Sequence, residues 1–393
     1  MKLGAGQAGL SLIEMMIAML IGLLLLLGVV QIFAASRSAY QLSQGMARVQ
    51  ESSRFAMDYL AHDIRMVGHM GCNSDAARVY ADDTSDFLTS YTTFGDSAVP
   101  ALQFNYAIQG YEATSSAPGD SITLASTPST GGSYSPSLPS ELSSALSNRV
   151  AGSDILVLRY LDSEGVPLSS AVSSSASATL PLAATTADWT LLKGGLDNPG
   201  LFGITNCTYA RIFQASAVSS SSSSATVTVA TTTLNAGLSS VSFDLNAGAR
   251  LYRAESEVYY VGLNSSSRPS LYRLRFIATP SGSLTSQMEE LVEGVESMQL
   301  LYGQGAASSS APSGTLSTLQ VASDISSTEA AWRRVVSVQV GLVIASPDTA
   351  NAVQAKSSNA LIAQGVTFTA PSDARTRAVY QSTITLRNRL YGN

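Results

Sequence analysis

The chain has 393 residues, a net charge of −6 and only 13 % charged side chains, about half the usual share for a soluble domain. Lysine is confined to Lys2, Lys193 and Lys356, and the arginines are scattered. No clustered basic surface of the kind that tracks a phosphate backbone is present, which excludes a nucleic-acid partner.

The chain opens on a small polar leader ending in Gly9, followed at once by Leu10-Ser-Leu-Ile-Glu14 and an apolar run to about Ala35. An ordinary secretory signal loses its apolar core on cleavage. A cut after Gly9 would instead leave the core on the mature chain. At ~1.5 Å per residue the run can cross a ~30 Å hydrocarbon layer. Its one charge is Glu14. A lone carboxylate at membrane depth costs roughly 2.5–3.5 kcal/mol and calls for a partner, for which the new α-amino group of Leu10, in the same chain or a neighbour, is the candidate. Gly4-Ala-Gly6-Gln-Ala-Gly9 also spells G-x-G-x-x-G, but no strand precedes it, so it is no dinucleotide fingerprint.

Beyond the apolar run the helical pattern continues to Val67. Tyr40, Val49, Phe55, Ala56, Tyr59, Leu60 and Ile64 recur at spacings of three and four as one apolar stripe. Glu51–Arg54 and Asp58–His62 are spaced to pair along the helix. Gly68 and Gly71 mark the stop, and Gly22, Gly28 and Gly45 are weak points within it. A helix over 10–67 would be roughly 85 Å long.

After Cys72 the period drops to two. Val336–Ile344 alternates most clearly, and further strands are expected at 154–160, 210–214, 225–229, 257–261, 272–277, 297–302 and 378–387. Leu102–Tyr106 and Ser121–Leu124 are shorter strand candidates, and Glu289–Gly294 reads as a helical turn. Four Ser/Ala/Thr-rich spacers (114–147, 169–178, 216–224 and 304–317) read as surface insertions rather than a second core. The class is α+β: a long N-terminal helix packed on a mainly antiparallel β-rich domain. The expected organisation is leader 1–9, membrane helix 10–35, amphipathic helix 36–68 and β-rich head 69–393.

Two cysteines, Cys72 and Cys207, make an even count in a chain expected to leave the cytoplasm, so a disulfide is the default and two buried thiols the alternative. On the chain-entropy model the bond would add at most ~4–5 kcal/mol. Catalytic signals are sparse: no G-x-S-x-G elbow, Walker A or HExxH is present, and no cofactor is expected. His62 and His69, seven residues apart, would share one helix face, but nothing accompanies them as a metal site. Asp82, Asp83 and Asp86 supply the oxygen ligands Ca²⁺ takes, but lack the EF-hand spacing and read as a solvated loop. Asn206-Cys-Thr208 and Asn264-Ser-Ser266 match the N-glycosylation triplet, a frequent coincidence in Ser/Thr-rich sequence. Glu289, Glu290, Glu293 and Glu296 form an acidic patch that either meets a basic partner or is the wet face of the turn.

The N-terminus resembles a class III, type IV prepilin signal: Gly9 at −1, an apolar residue at +1 (Leu10, where the family usually has Phe) and Glu14 at +5. The body resembles the PilW family of minor pilins at Leu10–Gln31, Gln50-Glu51…Arg54-Phe55-Ala56, Asp63–Gly68, Gly71-Cys72, Asn206-Cys207, Glu290–Gly303 and Leu386–Leu390. The spacers are unmatched. The resemblance implies cleavage after Gly9 and methylation of Leu10 by a prepilin peptidase. It further implies a single-pass inner-membrane anchor with a periplasmic head, and then assembly into a pilus. The implied partners are other minor pilins, the major pilin and a tip adhesin, and the implied role is priming of assembly at the tip, in support of pilus-dependent motility or adhesion. A minor pseudopilin of a type II secretion system and a membrane-tethered adhesin are the competing readings.

Overall fold

The computed structural model describes residues 11–74, 100–104, 106–175, 177–206, 210–235, 242–305, 316–349 and 361–389. Its first element is a single helix, α1 (Leu12–Met66), 55 residues long and about 82 Å at 1.5 Å per residue. The sequence has no proline in this stretch, so the ladder is never broken. Ser11 caps the N-terminus, its hydroxyl accepting the amide of Ile13, while Glu14 accepts the Ser11 amide at 3.4 Å. This reciprocal pair satisfies two of the otherwise orphaned first-turn donors. The other end is closed from far along the chain. The side-chain amide of Asn388 donates to the carbonyls of Arg65, Met66 and Val67 at 3.2–3.3 Å.

Only the second half of α1 is packed. Gly45, Val49, Ser53, Ala56, Leu60, Asp63 and Ile64 are buried. The expected apolar stripe is therefore narrower than its residues suggested: Tyr40, Phe55 and Tyr59 remain 63 %, 52 % and 43 % exposed. At 3.6 residues per turn these three fall on a different arc from Val49, Ala56, Leu60 and Ile64. The expected intrahelical pairs differ too. Arg54 meets Asp58 at 3.9 Å, and His62 meets Asp63 at 2.7 Å.

Two antiparallel sheets dominate the head, with four smaller sheets of two or three strands beside them among the described residues. The larger runs 210–214, 201–205, 250–263, 155–167, 108–113 and 134–135 in spatial order. A hairpin, Pro269–Ala278 with Leu284–Glu293, continues from the 250–263 strand. The smaller runs 316–320, 295–305, 335–349 and 375–385. One glycine joins the two. Gly294 (φ 95°) separates Leu284–Glu293 in the first sheet from Val295–Gly305 in the second, and a Cβ there would lie 2.6 Å from the Ala345 carbonyl oxygen. Only glycine combines that backbone angle with that approach. The main core lies where α1 crosses both sheets: Val49, Ala56, Leu60 and Ile64 pack with Leu158, Tyr259, Met298, Leu342 and Ile384. Asp154 ties the sheets again, accepting the amides of Ala113 at 3.0 Å and Leu300 at 2.9 Å. Beside it the carboxyl of Glu112 is 4 % exposed. Burial and the charge of Asp154 push Glu112 up to about 9, and burial pushes Asp154 up to about 7.

The strands read from alternation overlap observed ones: those at 210–214 and 225–229 coincide with them, 154–160 begins one residue before Ile155–Pro167, and 378–387 runs two residues past the end of Arg375–Thr385. Three expectations are corrected. Residues 289–294 are not a helical turn but the end of a strand and its hinge. Leu102–Tyr106 is not a strand: a short 3-10 helix, Pro100–Leu102, precedes the true strand Ile108–Ala113. This segment instead covers the fully buried Arg159, whose guanidinium donates to the carbonyls of Ala101 and Tyr106. Nor are the spacers at 169–178 and 216–224 mere surface insertions, while most of the spacer at 304–317 lies outside the described residues. Strands 172–175 and 217–220 lie within the first two, and a separate apolar core gathers Leu180, Leu182, Trp189, Phe202, Phe213, Val227, Val229 and Phe243, with Val172 and Val218 packed against it. The fold is α+β, as expected.

Candidate functional site: the anchor helix and its ionic joint

Leucine, isoleucine and methionine make α1 apolar on every side in its first half. The large apolar side chains from Leu12 to Phe33 are all exposed, each by more than half. This segment is long and apolar enough to cross a membrane, and none of it packs on the head. A helix greasy all round cannot face water along that length. Glu14 sits at its start, engaged in the Ser11 cap. Gly9 and Leu10 lie outside the described residues.

Where α1 meets the head, acids and arginines alternate. Glu255 and Glu257 share one strand face, and Arg273 and Arg275 share the facing one, because side chains repeat every two residues. Asp63 reaches in from α1. It accepts hydrogen bonds from the Tyr259 hydroxyl and from Arg273 at 3.2 Å, with His62 at 2.7 Å. Arg273 also binds Glu289 at 2.8 Å, and Arg275 binds Glu255 at 2.9 Å. Arg253 bridges Glu255 and Asp162. Glu257 has weaker ionic support: Arg273 and Arg275 approach it only to 3.6 and 3.5 Å, while Tyr160 donates to it at 3.0 Å.

The shifts follow from this geometry. Burial drives the Glu257 carboxyl well above the usual range, aided by the charges of Asp63 and Glu255. Burial also pushes Asp63 upward, but hydrogen bonding with Glu257, His62 and Tyr259 and the charge of Arg273 outweigh it and hold Asp63 below its ordinary value. The pair thus keeps one proton, on Glu257, shared toward an ionised Asp63. Above the joint opens a cleft of ≈ 510 Å³, with Phe55, Asp58 and Tyr59 of α1 on one rim and Asp162 and Ser163 on the other. The sequence carried a signal for it in the i,i+2 repeats Glu255/Glu257 and Arg273/Arg275. Their pairing depends on strand register, which the residues alone do not give.

The other singled-out residues disperse. His62 is on α1 and exposed, while His69 has left the helix for a short strand, where its Nδ1 lies 2.8 Å from the Leu161 carbonyl. The two do not share a face. The four acids of the patch are partnered: Glu289 with Arg273, Glu290 with Asn264 at 3.0 Å, Glu293 with Arg268 at 2.7 Å and Glu296 with Arg377 at 2.7 and 2.8 Å. They do not form the wet face of a turn. Asn264 is thereby tied down, and the Asn206 side chain donates to the Asp244 carbonyl at 3.3 Å. Cys72 Sγ lies 3.7 Å from the Thr205 hydroxyl. Cys207 and the acidic loop at Asp82, Asp83 and Asp86 lie outside the described residues.

Comparison with known families gives two matches. Residues 258–388 match the model described as Type IV Pilus-assembly protein W, and residues 4–30 match the prokaryotic N-terminal methylation motif. No curated protein and no solved structure matches the chain. The first match covers the strand carrying Glu257's neighbours, the Gly294 hinge and the Asn388 cap; the second covers the leader and most of the exposed half of α1. With a methylation motif on an exposed apolar helix and the assembly-protein model over residues 258–388, the chain is similar over these two stretches to PilW-like type IV pilins with a class III signal.

Proposed function

We propose that this chain is a minor pilin that primes pilus assembly together with other minor pilins and sits at or near the filament tip. One observation carries the reading: the first half of α1 is wholly exposed while the second half is locked into a broad head. Such a helix satisfies its surface first in the inner membrane, with the head in the periplasm, and then against other helices. A prepilin peptidase cuts after Gly9 and methylates Leu10, and the Glu14 carboxylate pairs with a neighbour's new amine. Pre-ordering a few such helices lowers the cost of the filament nucleus. The second core around Trp189 and Val227 widens the head beyond the sheets that hold α1, which suits an end position better than a crowded shaft. Cys72 pairs with Cys207, a bond supported by the 3.7 Å approach of Cys72 to Thr205, two residues short of Cys207. Motility and adhesion follow from the filament, with the major pilin and a tip adhesin as further neighbours.

The test is surface pilus yield after in-frame deletion, in a background where filaments cannot retract, with protein secretion assayed in parallel. Loss of pili with secretion intact is expected. Normal pili with failed secretion would move the protein to a type II secretion pseudopilus. Full-length, high-stoichiometry labelling of pili would remove it from the tip.

A further inference from the structure

The charges of α1 mark where its apolar segment ends. From Met15 to Gln50 the sequence has no acid, and its only charged residues there are Arg37 and Arg48. Arg48 is answered by the head, where Asp348 lies 3.2 Å away. Arg37 is exposed, and among the described residues it makes no hydrogen bond or ion pair. The residues three and four positions away, Phe33, Ala34, Tyr40 and Gln41, are those a helical side chain can reach, and none is a carboxylate.

The depth of this unanswered cation follows from helix geometry. Arg37 stands about 35 Å along the helix from Glu14. A hydrocarbon layer is ~30 Å thick, and each headgroup region adds about 5–8 Å. With Glu14 at one face of the hydrocarbon, the Arg37 guanidinium falls among the headgroups of the other. The head leaves room for them. The first buried residue of α1 is Gly45, packed against Ser346 and Thr376, about 12 Å beyond Arg37.

A second donor stands beside the first. Phe33, Arg37, Tyr40 and Gln44 recur at spacings of four, three and four, so they fall on one arc of the helix. The Gln44 side-chain amide donates to the Tyr40 hydroxyl oxygen at 2.7 Å. That oxygen is thereby engaged as an acceptor, and no acceptor among the described residues takes the Tyr40 proton. Arg37 and Tyr40 thus offer donors to whatever lies over the arc. Such a pair selects an oxyanion, and a guanidinium fork matches two phosphate oxygens at once. Phe33 and Tyr40, 71 % and 63 % exposed, bracket Arg37 with the ring types that settle at a membrane surface.

We infer that Arg37 and Tyr40 form a clasp for the phosphate of a phospholipid in the leaflet on the head's side. The guanidinium pairs with two phosphate oxygens, and the Tyr40 hydroxyl donates to one of them. The clasp fixes the depth of α1 and is given up when the subunit leaves the bilayer. The inference rests on the membrane placement of α1 and not on the priming role.

The full-length protein in detergent is titrated with dihexanoyl phosphatidylglycerol and with dihexanoylglycerol, which keeps the chains and loses the phosphate. Bound lipid is counted by native mass spectrometry. Saturable binding of one phospholipid is expected, at least tenfold tighter than the diacylglycerol. Arg37→Gln should weaken it at least tenfold and Tyr40→Phe several-fold, while Arg48→Gln, about 16 Å farther along the helix, should bind like the parent. Arg37 and Tyr40 are exposed, and an unchanged melting temperature would show that the head is intact. Equal binding of the two lipids, or parental affinity in both Arg37→Gln and Tyr40→Phe, would overturn the inference. So would loss of pili in Arg37→Gln with phospholipid binding unchanged, which would assign the arginine to a carboxylate of a neighbouring subunit. Alkaline carbonate extraction of membranes tests the placement separately. Release of the protein would remove the membrane placement and the clasp with it, whereas a retained protein that does not discriminate phosphate would refute the clasp alone.

Discussion

Glu112 shows what one buried carboxyl does to a fold of this kind. It is 4 % exposed, beside the equally buried Asp154, and its proton is held up to about 9 rather than the ordinary 4.5. Asp154 accepts two backbone amides from different sheets, so it is the better-solvated anion, and Glu112 is the partner that stays neutral. The sign of the linkage follows. Between pH 4.5 and about 9 the folded chain keeps this proton while the unfolded chain has released it, so stability falls as pH rises through that window. Each pH unit within it costs up to about 1.4 kcal/mol, and Asp154, raised to about 7, acts in the same direction. Glu112→Gln keeps the shape and removes the titration. Thermal unfolding of the two proteins should give similar midpoints near pH 5 and a clearly higher midpoint for the variant near pH 8. Parallel curves across that range would mean that the proton is not held there. None of this was legible in the sequence. Glu112 and Asp154 are 42 positions apart, and only the closing of strands 108–113 and 155–167 brings them together.

At the scale of elements, the chain's least replaceable joint is Gly294. A strand in one sheet becomes a strand in the other across a single residue at φ 95°, with the Ala345 carbonyl against its Cα. Gly294→Ala adds a methyl group 2.6 Å from that oxygen and forces a side chain into a glycine region. The expected loss is about 2 kcal/mol or more, read as a lower denaturation midpoint, with the two sheets losing cooperativity. A midpoint unchanged within error would show that the hinge relaxes freely. The same stretch explains where sequence reasoning failed. Glu289, Glu290 and Glu293 have helical spacing and helix-forming identity, so the segment looks like a turn of helix. Their partners lie earlier in the chain, Arg273 on the preceding strand of a hairpin and Asn264 and Arg268 in the turn before that strand, in a register set by distant packing. Alternation was legible where one face is buried and the other wet, as in Ala225–Val229. The second core was not, because serine-rich flanks dilute the apolar signal of Leu180, Leu182 and Val218. The length of α1 and its apolar half were legible, since they depend only on local periodicity, whereas the Ser11 cap was not read. The ionic joint on which its other half rests depends on the register of three strands.

At the scale of the whole molecule, the assembly role proposed for Glu14 bears on what the exposed half of α1 can do. In the chain with its leader, its carboxylate closes the Ser11 cap. That cap stabilises the first turn by roughly 1 kcal/mol, and it keeps a charge at the edge of an otherwise apolar segment. Cleavage after Gly9 would place a cationic amine one residue before that cap, so the same carboxylate could exchange a weak amide contact for an ion pair, within its own chain or across to a neighbour. In a low-dielectric surrounding the pair would be worth far more than in water, and on the proposed reading it would act as a register device, helices sliding until acid meets amine. Two substitutions separate the roles. Glu14→Gln keeps an acceptor for the Ser11 amide but has no charge, and Glu14→Val removes both. Both proteins should still enter the membrane, since the apolar run is intact and the valine variant is more apolar still. If charge sets the register, both should fall at least tenfold in the sheared pilus fraction, a loss of about 1.4 kcal/mol per joint or more. If the cap is what matters, Glu14→Gln will assemble like the parent and only Glu14→Val will fail. Incorporation of Glu14→Val at the parental level would remove the carboxylate from assembly and leave shape and apolar contact along α1 as the forces that bring this subunit into the filament.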